Sequence, residues 1–543
     1  MRRHTLTLAL AAIAAGASLQ TMAQSAMDAY SLTPTQLRGT ARFVGMGGAF
    51  TSLGGDISTM TQNPAGIGVY RHSDVGLTFD ISIRNYNAET SNGKFSNRQT
   101  KGYFDNFGYI GAIKLPGTLR TINWGVSYNR LSAFDRRFNG YNNPTSSSLS
   151  NYIASFTDGS DSGSMLFDKS QNYDPYLDSD NDWLSILAYN SLMINNTTND
   201  KTYAGLYQNG TTGDAEYSVH EWGYVDEYDI ELGGNVNDIL YWGLGVGIMD
   251  MSYSRQSNYS ESMSDALVYS GNGNNLENGN AGFGLYNEKY ISGTGANLKV
   301  GLIVRPVEML RVGFAIHTPT WMHLTSNGLG ETQYNYSPYR ETGNSENRTF
   351  SGSEYTDNFE YNWRLHTPWR FMVGASLVIG NQAIVSLDYE RVAYNDMKVK
   401  YGTWNNWGQN FVEDDRVNTA VKETCKAANI IRLGLEYRLT RRISARAGFN
   451  YQATNIREAA ENNRMEINTS GTDPSYILDK DNYNICLGLG YRYKSWYVDL
   501  TYQHTTLKST YHAYTPYADV VNTPSADLTT NHNNIVVSTG FKF

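Results

Sequence analysis

Apolar and polar residues alternate with a period of two along this chain, in runs that recur from about residue 74 to Phe543. The clearest run spans Asn429 to Tyr451. Ile431, Leu433, Leu435, Tyr437 and Leu439 share one face, and Arg432, Gly434, Glu436 and Arg438 share the other. Thr440-Arg441-Arg442 turns the chain, after which Ile443, Ala445, Ala447, Phe449 and Tyr451 alternate with Ser444, Arg446, Gly448 and Asn450. A period of two predicts strands with one apolar face. Charges stacked on the opposite face of two adjacent strands suit a barrel with a wet, charge-paired interior better than a soluble sandwich.

The same pattern predicts hairpins turning at Pro116-Gly117-Thr118, Asn235 to Asp238, Arg305 to Glu308, Gly380 to Gln382 and Lys494-Ser495. With a strand near Asp74 to Arg84 and a terminal strand Ile535 to Phe543, the count reaches about fourteen. Between the short turns lie long polar stretches, roughly 86–104, 134–218, 257–288, 326–367, 395–428, 454–482 and 508–532, read as loops at one end. Short turns at one rim and long loops at the other are the topology of outer-membrane barrels, whose last strand must pair with the first to remove both edges. The fold class expected is all-β: a transmembrane antiparallel β-barrel of about fourteen strands, residues 73–543, with Ile535 to Phe543 closing on Asp74 to Arg84.

Within the longest polar stretch, Trp183, Ile186, Leu187 and Asn190 have helical spacing, with Asp182 near the start. This predicts a short amphipathic helix above the rim. It would either pack the loop or offer an exposed patch (Trp183, Ile186, Leu187) that captures an apolar ligand.

Composition agrees with a barrel: 41 Tyr, 19 Phe and 10 Trp suit interfacial girdles, and 51 Gly suit a crowded inner wall. Mean hydropathy of −0.47 does not exclude one, because lipid-facing and lumen-facing residues average out. A net charge of −9 argues against nucleic acid as a partner. Residues 1–23 read as a signal peptide: Arg2, Arg3 and His4, an apolar run from Leu6 to Ala17, then Thr21-Met22-Ala23. That places the mature chain outside the cytoplasm, where Cys425 and Cys486 are free to pair or not.

Residues 24–72 follow another grammar. Leu37 to Asp56 contains Gly-Thr-Ala-Arg-Phe-Val-Gly-Met-Gly-Gly-Ala-Phe, and Asn63-Pro64-Ala65-Gly66 follows before the first strand. The segment is too rich in Gly for a surface helix and too apolar for a disordered tail, which predicts a compact plug within the barrel. This stretch resembles the N-terminal hatch of the FadL/TodX-type outer-membrane hydrocarbon transporters. The resemblance implies a fourteen-stranded monomer in a Gram-negative outer membrane, in contact with lipopolysaccharide, that takes up long-chain fatty acids or other hydrophobic compounds. It implies that Asn63, Pro64, Ala65 and Gly66 belong to the motif that gates a pocket. It also implies a kink in the third strand, here Arg120 to Phe134, with Asn123 or Gly125 as candidates.

No His-Glu-x-x-His, Gly-x-Ser-x-Gly or Cys-x-x-Cys motif is present, so no enzyme, metal or cofactor is expected. Arg432, Glu436, Arg438 and Arg446 read as a charge network in the lumen. Three functions remain open: passive uptake of a hydrophobic molecule with lateral exit into the membrane, a haem or porphyrin receptor of the same fold, or a barrel component of a secretion apparatus.

Overall fold

The computed structural model describes residues 24–543 except 198, 272–274, 340–347, 381, 406–407 and 518–521. The expected leader, 1–23, and the turn residue Asn381 lie outside these.

Fourteen antiparallel strands form a closed barrel. They are β1 (Asp74–Thr90), β2 (Gly93–Lys114), β3 (Leu119–Asn142), β4 (Thr212–Val236), β5 (Leu240–Tyr269) and β6 (Leu276–Val307). The next three each come in two segments: β7 (Leu310–His317, Trp321–Pro338), β8 (Phe359–His366, Arg370–Ile379) and β9 (Ala383–Val392, Lys398–Asn405). Then follow β10 (Ala428–Arg438), β11 (Ile443–Gln452), β12 (Tyr476–Tyr493), β13 (Trp496–His512) and β14 (Ser525–Lys542). β14 pairs with β1 from Lys542↔Asp74 to Asp527↔Glu89, so the terminal strand closes the sheet on the expected partner.

Alternation sets the two faces. Leu433 is 40 % exposed on the outside, whereas Arg432 beside it is 6 % exposed and faces inward. Exposed apolar residues of this kind recur around the wall, from Phe79 and Ile81 to Ile535 and Val537. One rim carries the aromatic cluster Trp496, Phe541, Phe543 and Tyr109. That is the belt a bilayer requires.

The long polar stretches differ from the expectation. Much of 86–104 and 257–288 is strand: the β1–β2 hairpin turns over only Ser91 and Asn92, and β5 pairs with β6 up to Tyr269↔Leu276. Beyond the membrane the outward face meets water, so the outward apolar row ends while main-chain pairing continues; the inner faces of β5 and β6 turn apolar instead, with Tyr259, Met263, Phe283 and Leu285 buried. A reading built on the outward apolar row stops short of such strands. The segment between β3 and β4 forms a cap with its own apolar core. It includes helices α3 (Leu149–Thr157) and α4 (Trp183–Asn190), packed with Phe138, Tyr217, Tyr259 and Tyr514.

Residues 24–70, called the hatch below, are mostly buried and pack against wall residues, with α1 (Ala26–Ser31), α2 (Ala41–Gly45) and two 3₁₀ turns, Ile57–Thr61 and Pro64–Val69. Wall glycines let this hatch sit against the main chain of the barrel. A Cβ on Gly301 would strike Asn63, on Gly243 would strike Pro64, and on Gly448 would strike Gly47. Gly47 itself has φ +64° and lies on the Phe449 backbone, so no larger residue fits there.

Candidate functional site

Where the barrel wall parts is decided by two bulges. The β2–β3 ladder runs from Lys114↔Thr121 only to Asn106↔Asn129. Beyond that level β2 continues on β1 to Gly93, and β3 continues on β4 to Asn142, without pairing to each other. Asp105 is the extra residue where the β1–β2 register shifts, and Leu131 is the extra residue where the β3–β4 register shifts. An extra residue bends its strand and raises the local twist, so one bulge on each strand at the same height drives them apart.

Side chains close this seam. The Tyr103 hydroxyl donates to Asp135 Oδ2 at 3.1 Å, and Lys101 Nζ reaches Asp135 Oδ1 at 3.1 Å. The guanidinium groups of Arg38, Arg84 and Arg130 lie 4.8, 5.3 and 6.0 Å from the Tyr103 ring centre, each an attractive cation–π contact. Arg38 is a hatch residue that also pairs with Asp80 and Asp105, so hatch and seam share one charge network.

Behind the seam lies a cavity of about 310 Å³. Its boundary includes Phe43 and Gln62 of the hatch, the extended segment Thr33 to Gly39, and Arg130, Leu131 and Phe134 of β3. It also reaches Thr318, Thr320, Thr367 and Pro368, where β7 and β8 are interrupted together by Thr-Pro steps. Proline has no N–H to give a ladder, and here Thr320 and Thr367 bridge the gap, Thr367 N donating to Thr320 O at 3.1 Å. β9 breaks at the same level. Its Tyr394 hydroxyl donates to Thr33 O at 2.9 Å, tying the segment after α1 to the wall.

The hatch residues Asn63, Pro64, Ala65 and Gly66 start the second 3₁₀ turn. Asn63 caps it: Ala65 N donates to Asn63 Oδ1 at 3.0 Å, and Asn63 Nδ2 donates to Thr51 O at 2.6 Å. Pro64 occupies the first turn, where a missing N–H costs nothing. All four are buried.

Of the expected charge network, Glu436 accepts from Arg446 Nε at 2.6 Å and from Arg42 Nε of the hatch at 2.9 Å, while Arg446 also pairs with Asp499 at 2.6 Å. Arg432 belongs to a separate group, sharing Glu390 with Arg370. Arg438 is a correction: it is exposed near the turn end of β10 and makes no ion pair among the described residues. The network ends one strand position earlier, because that rim is already in water. Desolvation works against the Arg42 guanidinium, but Glu436 outweighs it and holds the charge firmly on.

The patch on α4 is also corrected. Ile186 and Leu187 are fully buried and Trp183 nearly so, inside the core of the cap. The helical spacing is real, but its apolar face turns inward because the cap folds over it. The expected kink positions need moving as well: Asn123 and Gly125 stay in register on both sides, and the irregularities of β3 against β4 fall at Arg120 and, at the seam, at Leu131. Cys425 and Cys486 are both free and buried. Tyr103, Asp135 and Arg38 carry no motif and sit in stretches where periodicity could not single them out, and Arg42 lies within the Gly-Thr-Ala-Arg stretch, which by itself assigns it no role.

No family model and no curated protein matches the sequence. Solved structures do. A Pseudomonas aeruginosa FadL homologue aligns over 94% of this chain and 99% of its own, at 13% identity and a TM-score of 0.52. The Pseudomonas putida toluene transporter TodX aligns over 94% and 99%, at 13% identity and a TM-score of 0.47. The first likeness shows that this chain has the fold of the FadL homologue. The resemblance read from the hatch residues therefore holds at the level of fold.

Proposed function

We propose that the protein resides in the outer membrane of a Gram-negative bacterium and admits hydrophobic small molecules passively. A molecule passes the cap, occupies the cavity above the hatch, and leaves sideways between β2 and β3 into the outer leaflet. The observation that carries this reading is the unpaired seam, which opens directly behind residues lining the cavity. The hatch motif Asn63 to Gly66 would gate by shifting against its glycine seats. No step calls for an energy source, and the protein acts as a monomer with no enzymatic role.

The test is ligand binding by the purified protein in nanodiscs, read by tryptophan quenching with a fluorescent acyl probe and, separately, by the haem Soret band. Saturable quenching with no Soret shift supports the proposal. A Soret shift without quenching would replace it with porphyrin binding.

A further inference from the structure

The lining of the cavity states what kind of head group it accepts. Each of its arginines is already engaged by an acid. Arg38 holds Asp80 and Asp105, Arg84 faces Asp135, Arg130 grips Asp226 through two hydrogen bonds, Arg136 meets Asp479 and Glu221, and Arg370 and Arg432 share Glu390. A carboxylate entering this space would lose its hydration and have to compete at each guanidinium with an acid already in place, Arg370 and Arg432 through the one Glu390.

The opposite wall is made of carboxamides. Asn484 Nδ2 donates to Asn450 Oδ1 at 3.2 Å, Gln503 Nε2 to Asn484 Oδ1 at 2.9 Å, and Asn534 Nδ2 to Gln503 Oε1 at 3.3 Å, a chain of amides across β11 to β14. At its upper edge stand Gln452 and Asn482, direct partners across the β11–β12 ladder, together with Asn455, which is 7 % exposed. All three line the cavity, and their side chains make no hydrogen bond among the described residues. A carboxamide offers both donors and an acceptor without charge, which is what hydroxyl and carbonyl groups require. A pure hydrocarbon placed against these amides would displace their water and return nothing.

We infer that the cavity selects an uncharged amphiphile with several hydroxyl or carbonyl groups, held by Gln452, Asn455 and Asn482, rather than a fatty-acid anion or a bare hydrocarbon. The inference rests on the uptake reading and narrows its substrate class.

The experiment uses the full-length protein in nanodiscs with three probes of equal chain length: 1-monolaurin, laurate at pH 8 and dodecane. Monolaurin should bind about tenfold more tightly than either of the others, the worth of one or two hydrogen bonds. Gln452→Leu with Asn482→Leu should remove that advantage while leaving the heat-modifiable barrel intact. Glu390→Gln, and independently Asp135→Asn, should free a guanidinium and raise laurate binding about tenfold. Laurate or dodecane binding as tightly as monolaurin to the unaltered protein would overturn the inference and leave uptake standing. Binding of none of the three would remove the uptake reading, and this inference with it.

Discussion

Tyr103 and Asp135 face each other across the stretch in which neighbouring strands β2 and β3 have no main-chain bond, and the 3.1 Å bond between them closes the wall. Tyr103 is also the ring on which three guanidinium groups converge. Removing it takes away a latch and leaves the ladder from Asn106 to Lys114 intact. Tyr103→Ala is expected to speed transfer of a bound probe to acceptor liposomes several-fold. It should also leave the barrel folded by heat-modifiability on a gel. Unchanged transfer would show that the ring is packing and not a latch.

The hatch is bolted to the wall unequally by its charges. Glu436 serves two arginines, Arg42 and Arg446, whereas Arg42 serves only Glu436 and the Gly55 carbonyl. Glu436→Gln should therefore loosen the hatch more than Arg42→Gln, by about 1 kcal/mol or more, since it leaves Arg42 with no acid and Arg446 with Asp499 alone, whereas Arg42→Gln leaves Glu436 still paired with Arg446. Hydrogen exchange of residues 41–70 reads this directly. Equal effects of the two substitutions would mean the bridge to Arg446 carries no weight.

A third expectation concerns acid. Asp28 caps its own helix through Ser25 and takes Lys289 Nζ at 2.9 Å and Ser470 Oγ at 2.6 Å. Burial alone would raise its pKa, but Lys289 and these hydroxyls hold it below the ordinary 3.8. A carboxylate depressed in the folded state stabilises above its unfolded pKa and loses that contribution as pH falls through the folded one. Docking of α1 should thus be constant above about pH 4 and weaken below it. Limited proteolysis near Ala26 across that range is the check, with Asp28→Asn expected to be weakened at every pH.

Because α4 is buried, Trp183→Ser and Leu187→Ser should act on the cap and not on a landing surface. Each is expected to cost about 3 kcal/mol of cap stability, as cavity-forming substitutions in a packed core do. Protease sensitivity confined to residues 143–211 would show it, with the barrel itself unaffected.

What the sequence revealed and what it withheld follow from where water is. In the membrane-embedded belt one face must be apolar, so β10 to β14 announce themselves residue by residue, down to the pairing of the last strand with Asp74. The hatch is legible for a different reason. Its backbone must approach the wall closely, which forces Gly, and its turn needs the Asn63-Pro64 cap. Above the membrane neither constraint acts. The upper halves of β1, β2, β5 and β6 therefore look like loops. The seam between β2 and β3 starts at the upper edge of the apolar belt, beside the exposed Phe104, where the outward row is ending, so Tyr103 and Asp135 across it leave no trace. The same blindness moved the kink from Leu131 to Asn123 and Gly125, which are merely the small and polar residues inside the visible part of β3. For α4, spacing gave the apolar face correctly but could not say that the cap would fold over it.

The central claim is that a molecule bound behind the seam leaves between β2 and β3. Bridging that seam covalently tests it most directly. With Tyr103→Cys and Asp135→Cys joined by a short reducible bis-thiol linker, probe binding and transfer to acceptor liposomes are measured on the same sample before and after reduction. The native cysteines stay out of the reaction: both are buried, and burial pushes the Cys425 thiol up to about 12. Binding retained, transfer abolished, and transfer restored on cleaving the linker is the predicted result. Transfer at an undiminished rate through the bridged protein would contradict the account.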